Sequence, residues 1–570
     1  MTLTHSGEPA IEWPEVEAAL TAAGQMFEMT DVEVRGVRLR AWKNAPPSLR
    51  ELLALSRLHG DKTFLVYEDE RTTFEEHFRQ VATLANRMVE DYNVRKGDRV
   101  AIAMRNFPEW SVAFWAAAAA GAVVVPLNAW GTAAELVYGL TDSGSKVAFV
   151  DGERLDRLQP QLAGLDLAVV VARPEGATPT GVAHFDDVIG EVRSDVGLPD
   201  VVLEPEDEAT IFYTSGTTGE PKGALGTHRN ICGNLLSLAY ARFSAALRSG
   251  TPADAPAPDA LQPSYLLSVP FFHATGCHSV LVANLASGGK LVLMHKWNPE
   301  RALELIEREQ VTTFGGVPTM VWQVLQSPDF DKRDISSVNS VGYGGAPAPP
   351  ELVRRIEKLL PGRVPSNGYG LTETSSVTTM NSGIDYLRKP DSVGRPVAVV
   401  DVQVVDDDGQ ARPVGEIGEL LIRGPNVVKG YWNKPDATAA AISDGWLRSG
   451  DLARLDDEGF VYIVDRAKDM LIRGGENVYC AEVEAALFEH PTVYDAAVIG
   501  IPHHEFGEEV GAVVVLKAGA KASEDDLRRH VAERLAAFKV PVKVWFVDSE
   551  LPRNPAGKVL KRELRDQLLG

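Results

Sequence analysis

Apolar residues recur along this chain in two alternating registers. Residues 73–104 show both. Phe74, Phe78, Val81, Ala85 and Met88 share one face at helical spacing, Thr73 with Glu76 spells a capping box ahead of them, and RVAIAM follows as a strand. The run 112–127 is Ala-rich, carries Gly121 and Pro126, and falls short of the roughly 18 to 20 residues a membrane span needs, so it predicts a buried helix feeding a strand, AVVVPLN. KVAFV and LAVVVA continue the alternation, and in NPERALELIEREQVTTFGGVP Asn298 can cap a helix that begins at Pro299. Over the first 450 or so residues this pattern predicts α/β layers with largely parallel sheets. No internal repeat is apparent. After about residue 465 the elements shorten (DMLIRGG, AEVEAALFEH, AAVIG, GAVVVL, SEDDLRRHVAERLAAF) and predict a compact α+β unit of about 100 residues. Residues 249–263, SGTPADAPAPDALQP, hold four prolines and predict a surface loop.

Composition adds limits. At 570 residues the chain exceeds what one core usually takes, so two or more domains are expected. The formal charge of −22 argues against broad binding of nucleic acid or anionic membranes, so any phosphate must be held locally. From Lys517 onward 12 Lys and Arg face 8 Asp and Glu, so this terminal stretch is basic. The cysteines Cys232, Cys277 and Cys480 follow no metal-ligand spacing, which predicts neither disulfide framework nor zinc site and points to a reducing compartment. The start MTLTHSGEPAIEWPEVE lacks a basic, then apolar, leader, so a cytoplasmic protein without an integral membrane segment is expected.

The segment YTSGTTGEPKG (213–223) follows a predicted strand. Its glycines let backbone N–H groups converge on an anion, its hydroxyls add donors, and Lys222 adds charge. It is not a Walker loop, since Pro221 and Gly223 stand where that pattern needs Gly and Ser or Thr. Taken alone it could equally be a flexible loop. GYGGAP (342–347) fails as a dinucleotide fingerprint because Pro347 replaces the third glycine. His273, in PFFHATG, suits either a packed core or a pocket wall. Asp451 and Arg466 suit either a surface ion pair or a polyol site.

The order of these motifs narrows the choice. YTSGTTGEPKG, GGAP (344–347), NGYGLTET (367–374), Gly450-Asp451, DRAK (465–468) and NPAGK (554–558) together resemble the adenylate-forming enzymes, which include acyl-CoA synthetases, nonribosomal adenylation domains and beetle luciferases. The resemblance runs from about residue 50 to the end. It implies a large N-terminal domain, 1–465, of two α/β sheet subdomains plus a small β-barrel, and a small mobile α+β C-terminal domain, 466–570. It implies that Thr214, Ser215, Gly216, Thr217, Thr218, Gly219 and Lys222 wrap the ATP phosphates, with Thr214 and Glu373 at Mg²⁺. Gly344, Gly345 and Ala346 would leave an adenine slot, Tyr369 would stack on the base and Asn367 would reach its edge, with Gly368, Gly370, Leu371 and Thr372 in the same stretch. Asp451 would take the ribose hydroxyls with Arg466 nearby. Lys558 would be the catalytic lysine and Lys468 the hinge. Arg473, Gly474 and Gly475 would border the CoA passage. His273, Cys277, Gly344, Ser376 and Val377 would line the acyl pocket.

The activity implied is an ATP-dependent acid:CoA ligase that forms an acyl-adenylate and then a thioester, using ATP, Mg²⁺ and coenzyme A. A medium- or long-chain fatty acid is the expected substrate, with an aryl or alicyclic acid as the alternative. A stand-alone enzyme loading a carrier protein is a further alternative, though no carrier module follows Lys558. Luciferase-type oxidation lacks any separate oxygen-handling signal. A catalytically silent acyl or nucleotide binder would need neither Glu373 nor Lys558, and a serine hydrolase would need the G-x-S-x-G elbow the chain lacks. The sequence leaves the oligomeric state open, a homodimer included.

Overall fold

The computed structural model describes residues 8–214, 221–250, 260–346, 348–474, 476–554 and 557–569. Locally encoded elements form where their signals stand. Thr73 Oγ1 accepts from the Glu76 N–H while Glu76 Oε2 accepts from the Thr73 N–H at 2.8 Å, which closes the capping box of the helix Phe74–Glu90. Asn298 Oδ1 accepts from the Arg301 N–H at 2.7 Å at the start of the helix Pro299–Glu309. The Ala-rich run is the helix Pro108–Ala119, which buries Trp110, Phe114 and Trp115, followed by the strand Val123–Pro126. Burial of each such aromatic contributes roughly 1.5–3 kcal/mol relative to exposure.

Two sheets carry the N-terminal part, and they repeat one arrangement. In the first, the strand Arg99–Ala103 lies between Val123–Pro126 and Ser145–Asp151, with Ala168–Ala172 and Val182–His184 beyond, all parallel. Glu208–Thr214 adds on the other side of Val123–Pro126, and Lys222–Thr227 pairs with it antiparallel. In the second, Ser264–Leu267 lies between Lys290–Leu293 and Thr313–Gly316, with Ser340–Gly344 and Val364–Tyr369 beyond, again parallel. The duplication, invisible as a sequence repeat, lies in the strand order. In each half the chain steps to one side of its first strand and then returns to the other, so the loops leaving the C-terminal ends diverge and open a crevice.

The small all-β unit is an antiparallel sheet of Asp401–Val405, Gly418–Arg423, Ile442–Ser443, Trp446–Leu455 and Val461–Arg466. The C-terminal part has its own sheet, Leu471–Arg473, Glu476–Val478, Val493–His503, Gly507–Leu516 and Lys543–Phe546, and its own core around Val483, Leu487, Val498, Val510, Val514 and Leu527. The fold is therefore mixed α/β, with a large N-terminal and a smaller C-terminal domain. Among the described residues no helix is long and apolar enough to cross a membrane, and no group of three or more His, Cys, Asp or Glu could hold a metal. Positions 251–259 of the Pro-rich segment lie outside the described residues.

Candidate active site

Thr214 stands directly opposite Lys222 where two antiparallel strands end and begin, and its hydroxyl donates to the Lys222 carbonyl at 3.3 Å. Ser215, Gly216, Thr217, Thr218 and Gly219, expected at the phosphates, lie outside the described residues, as do Pro347, Gly475, Pro555 and Ala556. The flanks of that loop are tightly held. The Tyr213 hydroxyl donates to Asp142 Oδ2 at 2.6 Å, the Tyr138 hydroxyl to the Pro221 carbonyl at 3.1 Å, and the Trp432 N–H to the Gly223 carbonyl at 2.8 Å.

Tyr431 links this loop to Glu373. Its strand, Gly430–Tyr431, pairs with Ala224 and Leu225, the Lys222 ammonium lies 5.1 Å from its ring centroid, and its hydroxyl donates to Glu373 Oε1 at 2.8 Å. The Val428 N–H donates to the Glu373 carbonyl at 2.9 Å, so one segment grips Glu373 by side chain and by backbone. Sequence reasoning missed Tyr431, and the only signal available was an aromatic pair in GYWN.

The stretch 367–377 is a turn without room for side chains at its glycines. Gly344 pairs with Gly368, and a Cβ at Gly344 would stand 2.4 Å from the Gly368 carbonyl oxygen. A Cβ at Gly370 would stand 1.4 Å from the Ser376 carbonyl oxygen, so residue 370 must be glycine. Ser375 and Ser376 follow at φ of 54° and 106°, backbone that a serine adopts only under strain. Thr374 Oγ1 accepts from the Leu371 N–H at 2.8 Å and Asn234 Oδ1 from the Val377 N–H at 2.9 Å, which hold the turn. Gly345, at φ 75°, has nothing within 4 Å of where a Cβ would stand. Asn367 is buried within hydrogen-bonding reach of the Tyr386 hydroxyl, which in turn meets Tyr343 at 3.0 Å.

Asp451 is buried, and a hydroxyl and a guanidinium reach it from two sides. The Tyr369 hydroxyl donates to Oδ2 at 2.6 Å, and Arg466, its cross-strand partner, lies 3.4 Å from Oδ1. Burial and the adjacent carboxylate keep the Tyr369 hydroxyl well above its ordinary pKa, so it stays a donor.

The C-terminal domain delivers Lys558 to the same place. Arg553 is anchored on Asp495 at 2.5 Å and donates to the Gly557 carbonyl at 2.7 Å, while the Asn554 N–H donates to the Lys558 carbonyl at 2.8 Å and Asn554 Oδ1 accepts from the Lys558 N–H at 2.9 Å. A Cβ at Gly557 would stand 2.5 Å from Val317 Cγ2, so the loop presses on the second sheet of the N-terminal domain. Burial lowers the Lys558 pKa to about 8, with Arg466 and Lys468 adding to that effect while Asp451 and Glu373 oppose it. Three cations thus surround two carboxylates, an excess that suits an anion.

His273 borders this cluster. Burial, with Lys558 nearby, lowers its pKa to about 4, so it is neutral at pH 7, and its Nε2 has no hydrogen-bond partner among the described residues. It opens a segment that continues as a π-helix, Thr275–Val282, a rare form frequent at functional sites. Gly276 is required there, since a Cβ would meet the Pro270 carbonyl oxygen at 2.1 Å. Cys277 is fully buried, which raises its thiol pKa. Ser279 and Ser376 share a hydrogen bond of 2.6 Å, and Val377 is buried beside them.

Arg473 is not brought to this cluster. Its guanidinium makes a two-point pair with Glu509 at 2.6 and 2.9 Å and lies 4.6 Å from the centroid of the Phe506 ring, within the C-terminal domain; Gly474 also packs on Phe506.

Residues 54–432 match the family model described as AMP-binding enzyme, and residues 482–558 match the AMP-binding enzyme C-terminal domain. The chain is 38% identical to a feruloyl-CoA synthase of Amycolatopsis over 90% of its own length and 96% of the relative's. It is 34% identical to a long-chain-fatty-acid–CoA ligase of Bacillus subtilis, covering 89% and 92%. Among solved structures it is similar to ATP-bound MatB from Rhodopseudomonas palustris, with a TM-score of 0.78 and 32% identity over 90% of this chain and 98% of that one.

Proposed function

The chain belongs to the AMP-binding enzyme family, and from that premise we propose how its own residues carry out the chemistry of an AMP-forming acid:CoA ligase. A carboxylate oxygen of the acid attacks the α-phosphorus of ATP and pyrophosphate leaves; the CoA thiolate then attacks the acyl carbon and AMP leaves. The observation that carries this reading is the convergence of Lys558 with Arg466, Asp451, Glu373 and His273, contributed by both domains. Asp451 accepts from the ribose hydroxyls, Tyr369 flanks the base, and Lys558 bridges the acid and the α-phosphate. The division at 465/466, with Lys468 as hinge, belongs to the same reading. The Thr214 hydroxyl and the Glu373 carboxylate are oxygen donors of the kind a hard cation takes, so they fit Mg²⁺, which would neutralise triphosphate charge. A cytoplasmic setting fits three free, buried thiols.

The acid we propose is a medium- or long-chain fatty acid, in line with the Bacillus relative. An aromatic acid is a second reading, favoured by the Amycolatopsis relative and by the polar Ser279–Ser376 pair beside Val377. A panel of carboxylic acids with ATP, Mg²⁺ and CoA, read by AMP release and thioester mass, decides between them. Thioesters of alkyl acids are expected; thioesters from aryl acids alone would replace the fatty acid, and pyrophosphate exchange without any thioester would replace CoA as acceptor.

Tyr431 acts on this chemistry through Glu373. Tyr431→Phe removes the hydroxyl that holds the carboxylate and keeps the ring beside Lys222. It is expected to reduce the gain in ATP affinity that Mg²⁺ brings, measured by titration calorimetry with and without the metal, by about tenfold. Affinity without Mg²⁺ should hold, and a loss equal under both conditions would assign Tyr431 to the fold alone.

A further inference from the structure

A lysine sets its charge on a flexible four-carbon stem, so where its ammonium stands depends on how firmly its backbone is fixed. At Lys558 the backbone is held on both sides. The Gly557 carbonyl accepts from Arg553 Nη1 at 2.7 Å, the Lys558 N–H donates to Asn554 Oδ1 at 2.9 Å, and the Lys558 carbonyl accepts from the Asn554 N–H at 2.8 Å. The peptide plane between Gly557 and Lys558 is thus gripped at its oxygen and at its nitrogen. Arg553 and Val559 bridge antiparallel, and the Leu560 N–H donates to the Pro552 carbonyl at 2.8 Å, so the two ends of the turn are paired.

Arg553 also ties this turn to the sheet of the small domain. Its Nη2 donates to Asp495 Oδ2 at 2.5 Å, and Asp495 lies on the strand Val493–His503, whose register with Gly507–Leu516 slips between Val493 and Asp495. Such an irregularity re-aims a side chain out of the regular alternation. Asp495 is 7% exposed, and its Oδ1 accepts from the Ala496 N–H at 2.9 Å. Leu551, two residues before Arg553, is buried in one cluster with Ala497 and Ile499 of the same strand. Because the guanidinium is planar, its hold on Asp495 through Nη2 fixes where Nη1 points.

Stability does not account for this pair. Burial pushes the Asp495 carboxyl above its ordinary pKa although Arg553 opposes the rise, so burying the carboxylate costs more than the guanidinium returns. Apolar residues of similar volume often fill such a place without loss of stability. What the charged pair supplies is direction: one nitrogen on a fixed carboxylate and another on the carbonyl that precedes Lys558.

We infer that Arg553 is a positioning residue for adenylate formation, which aims the Lys558 ammonium through the Gly557–Lys558 peptide with Asp495 as its fixed point. It rests on the reading that Lys558 serves the first half-reaction. Both terminal nitrogens of Arg553 are taken up by Asp495 and Gly557, so it acts through Lys558 and not on a phosphate. Asp495, Arg553, Gly557 and Lys558 all lie in the small domain, so the aim does not depend on how that domain is docked.

Arg553→Ala is expected to slow pyrophosphate exchange by at least about tenfold, since misplacing a reacting group by about 1 Å can cost about 10²-fold, and to leave thioester formation from supplied acyl-AMP near wild type. In the Lys558→Ala background the same substitution should add no further loss, because no ammonium is left to aim. A residue that merely kept the domain folded would slow both half-reactions, and its effect would multiply with that of Lys558→Ala. Arg553→Lys keeps a positive charge beside Asp495, which guards against misfolding, yet offers one nitrogen where the geometry uses two. It should show the same split, with a loss in exchange of at least about threefold. The inference is overturned if exchange is unimpaired in Arg553→Ala or, should that variant misfold, in Arg553→Lys. It is equally overturned if both half-reactions fall alike, or if the double variant is slower than Lys558→Ala alone. Wild-type exchange in Lys558→Ala would sink the reading of Lys558 and this inference with it, whereas loss there with none in either Arg553 variant would sink this inference alone.

Discussion

Lys558→Ala is expected to lower the rate of adenylate formation by roughly 10²–10³-fold while thioester formation from supplied acyl-AMP stays near wild type. The ammonium sits among Arg466, Lys468, Asp451 and Glu373, and in the proposed role its charge meets the negative charge that builds on the α-phosphate and the attacking carboxylate, an interaction that strengthens toward the transition state. In the second half-reaction the departing AMP needs no such bridge from this lysine. Without nucleotide the pKa is lowered to about 8, so the charged form declines as pH rises through that value. Adenylation at low ATP should therefore fall above about pH 8. Saturating ATP brings phosphate charge next to the ammonium and should move the fall to higher pH. Lys558→Arg should remove this alkaline limb, because a guanidinium does not titrate there. Pyrophosphate exchange and single-turnover thioester formation read the two steps apart. Equal losses in both, or an alkaline limb unchanged in Lys558→Arg, would remove Lys558 from the role proposed.

Part of the fold is legible in the sequence because its signals are local. Thr73 and Asn298 bond N–H groups three residues on, so their helix starts follow from residue type and spacing alone. Gly370 is legible for a related reason: it sits in a turn where the carbonyl of Ser376, six residues on, excludes any side chain. The strand order is not local. It arises from crossovers that pair Ser145–Asp151 with Arg99–Ala103 on the side opposite Val123–Pro126, and no residue type announces which side a strand will take. Tyr431 escaped notice because its partner Glu373 is 58 positions away and meets it only through pairing with the strand after the phosphate loop. Arg473 shows the converse. Its residue type and its neighbours name no partner, and only the fold brings Glu509, 36 positions on, to its guanidinium. The basic terminal stretch was read from composition, and the structure gives it a position, with Lys558 facing the carboxylates of the larger domain.

Lys468→Pro should leave adenylate formation largely intact and slow overall thioester turnover by about 10²-fold, since misplacing a reacting group by about 1 Å can cost that much. Lys468 lies in a turn just past the strand Val461–Arg466, where the Ala467 N–H donates to the Gly450 carbonyl and the Asp469 and Met470 N–H groups to the Arg466 carbonyl, at 3.1, 2.9 and 3.1 Å. Upstream of it the chain belongs to the antiparallel sheet of the large domain; downstream it enters the sheet of the small one. A rotation that withdraws Lys558 must be absorbed in such a segment, and proline fixes the φ that would have to change. Among the described residues the contacts to be broken include the Arg354–Glu489 pair at 3.2 Å, whose side chains are 55% and 38% exposed and which is of a class worth about 0–1 kcal/mol, the Trp322 and Phe488 rings at 6.4 Å, and Gly557 on Val317. Because the Lys468 ammonium also lies near Lys558, Lys468→Ala is the necessary companion: it removes the charge and keeps the backbone free, and it should turn over faster than Lys468→Pro. Full overall turnover in Lys468→Pro, or an alanine variant as slow as the proline one, would move the hinge elsewhere.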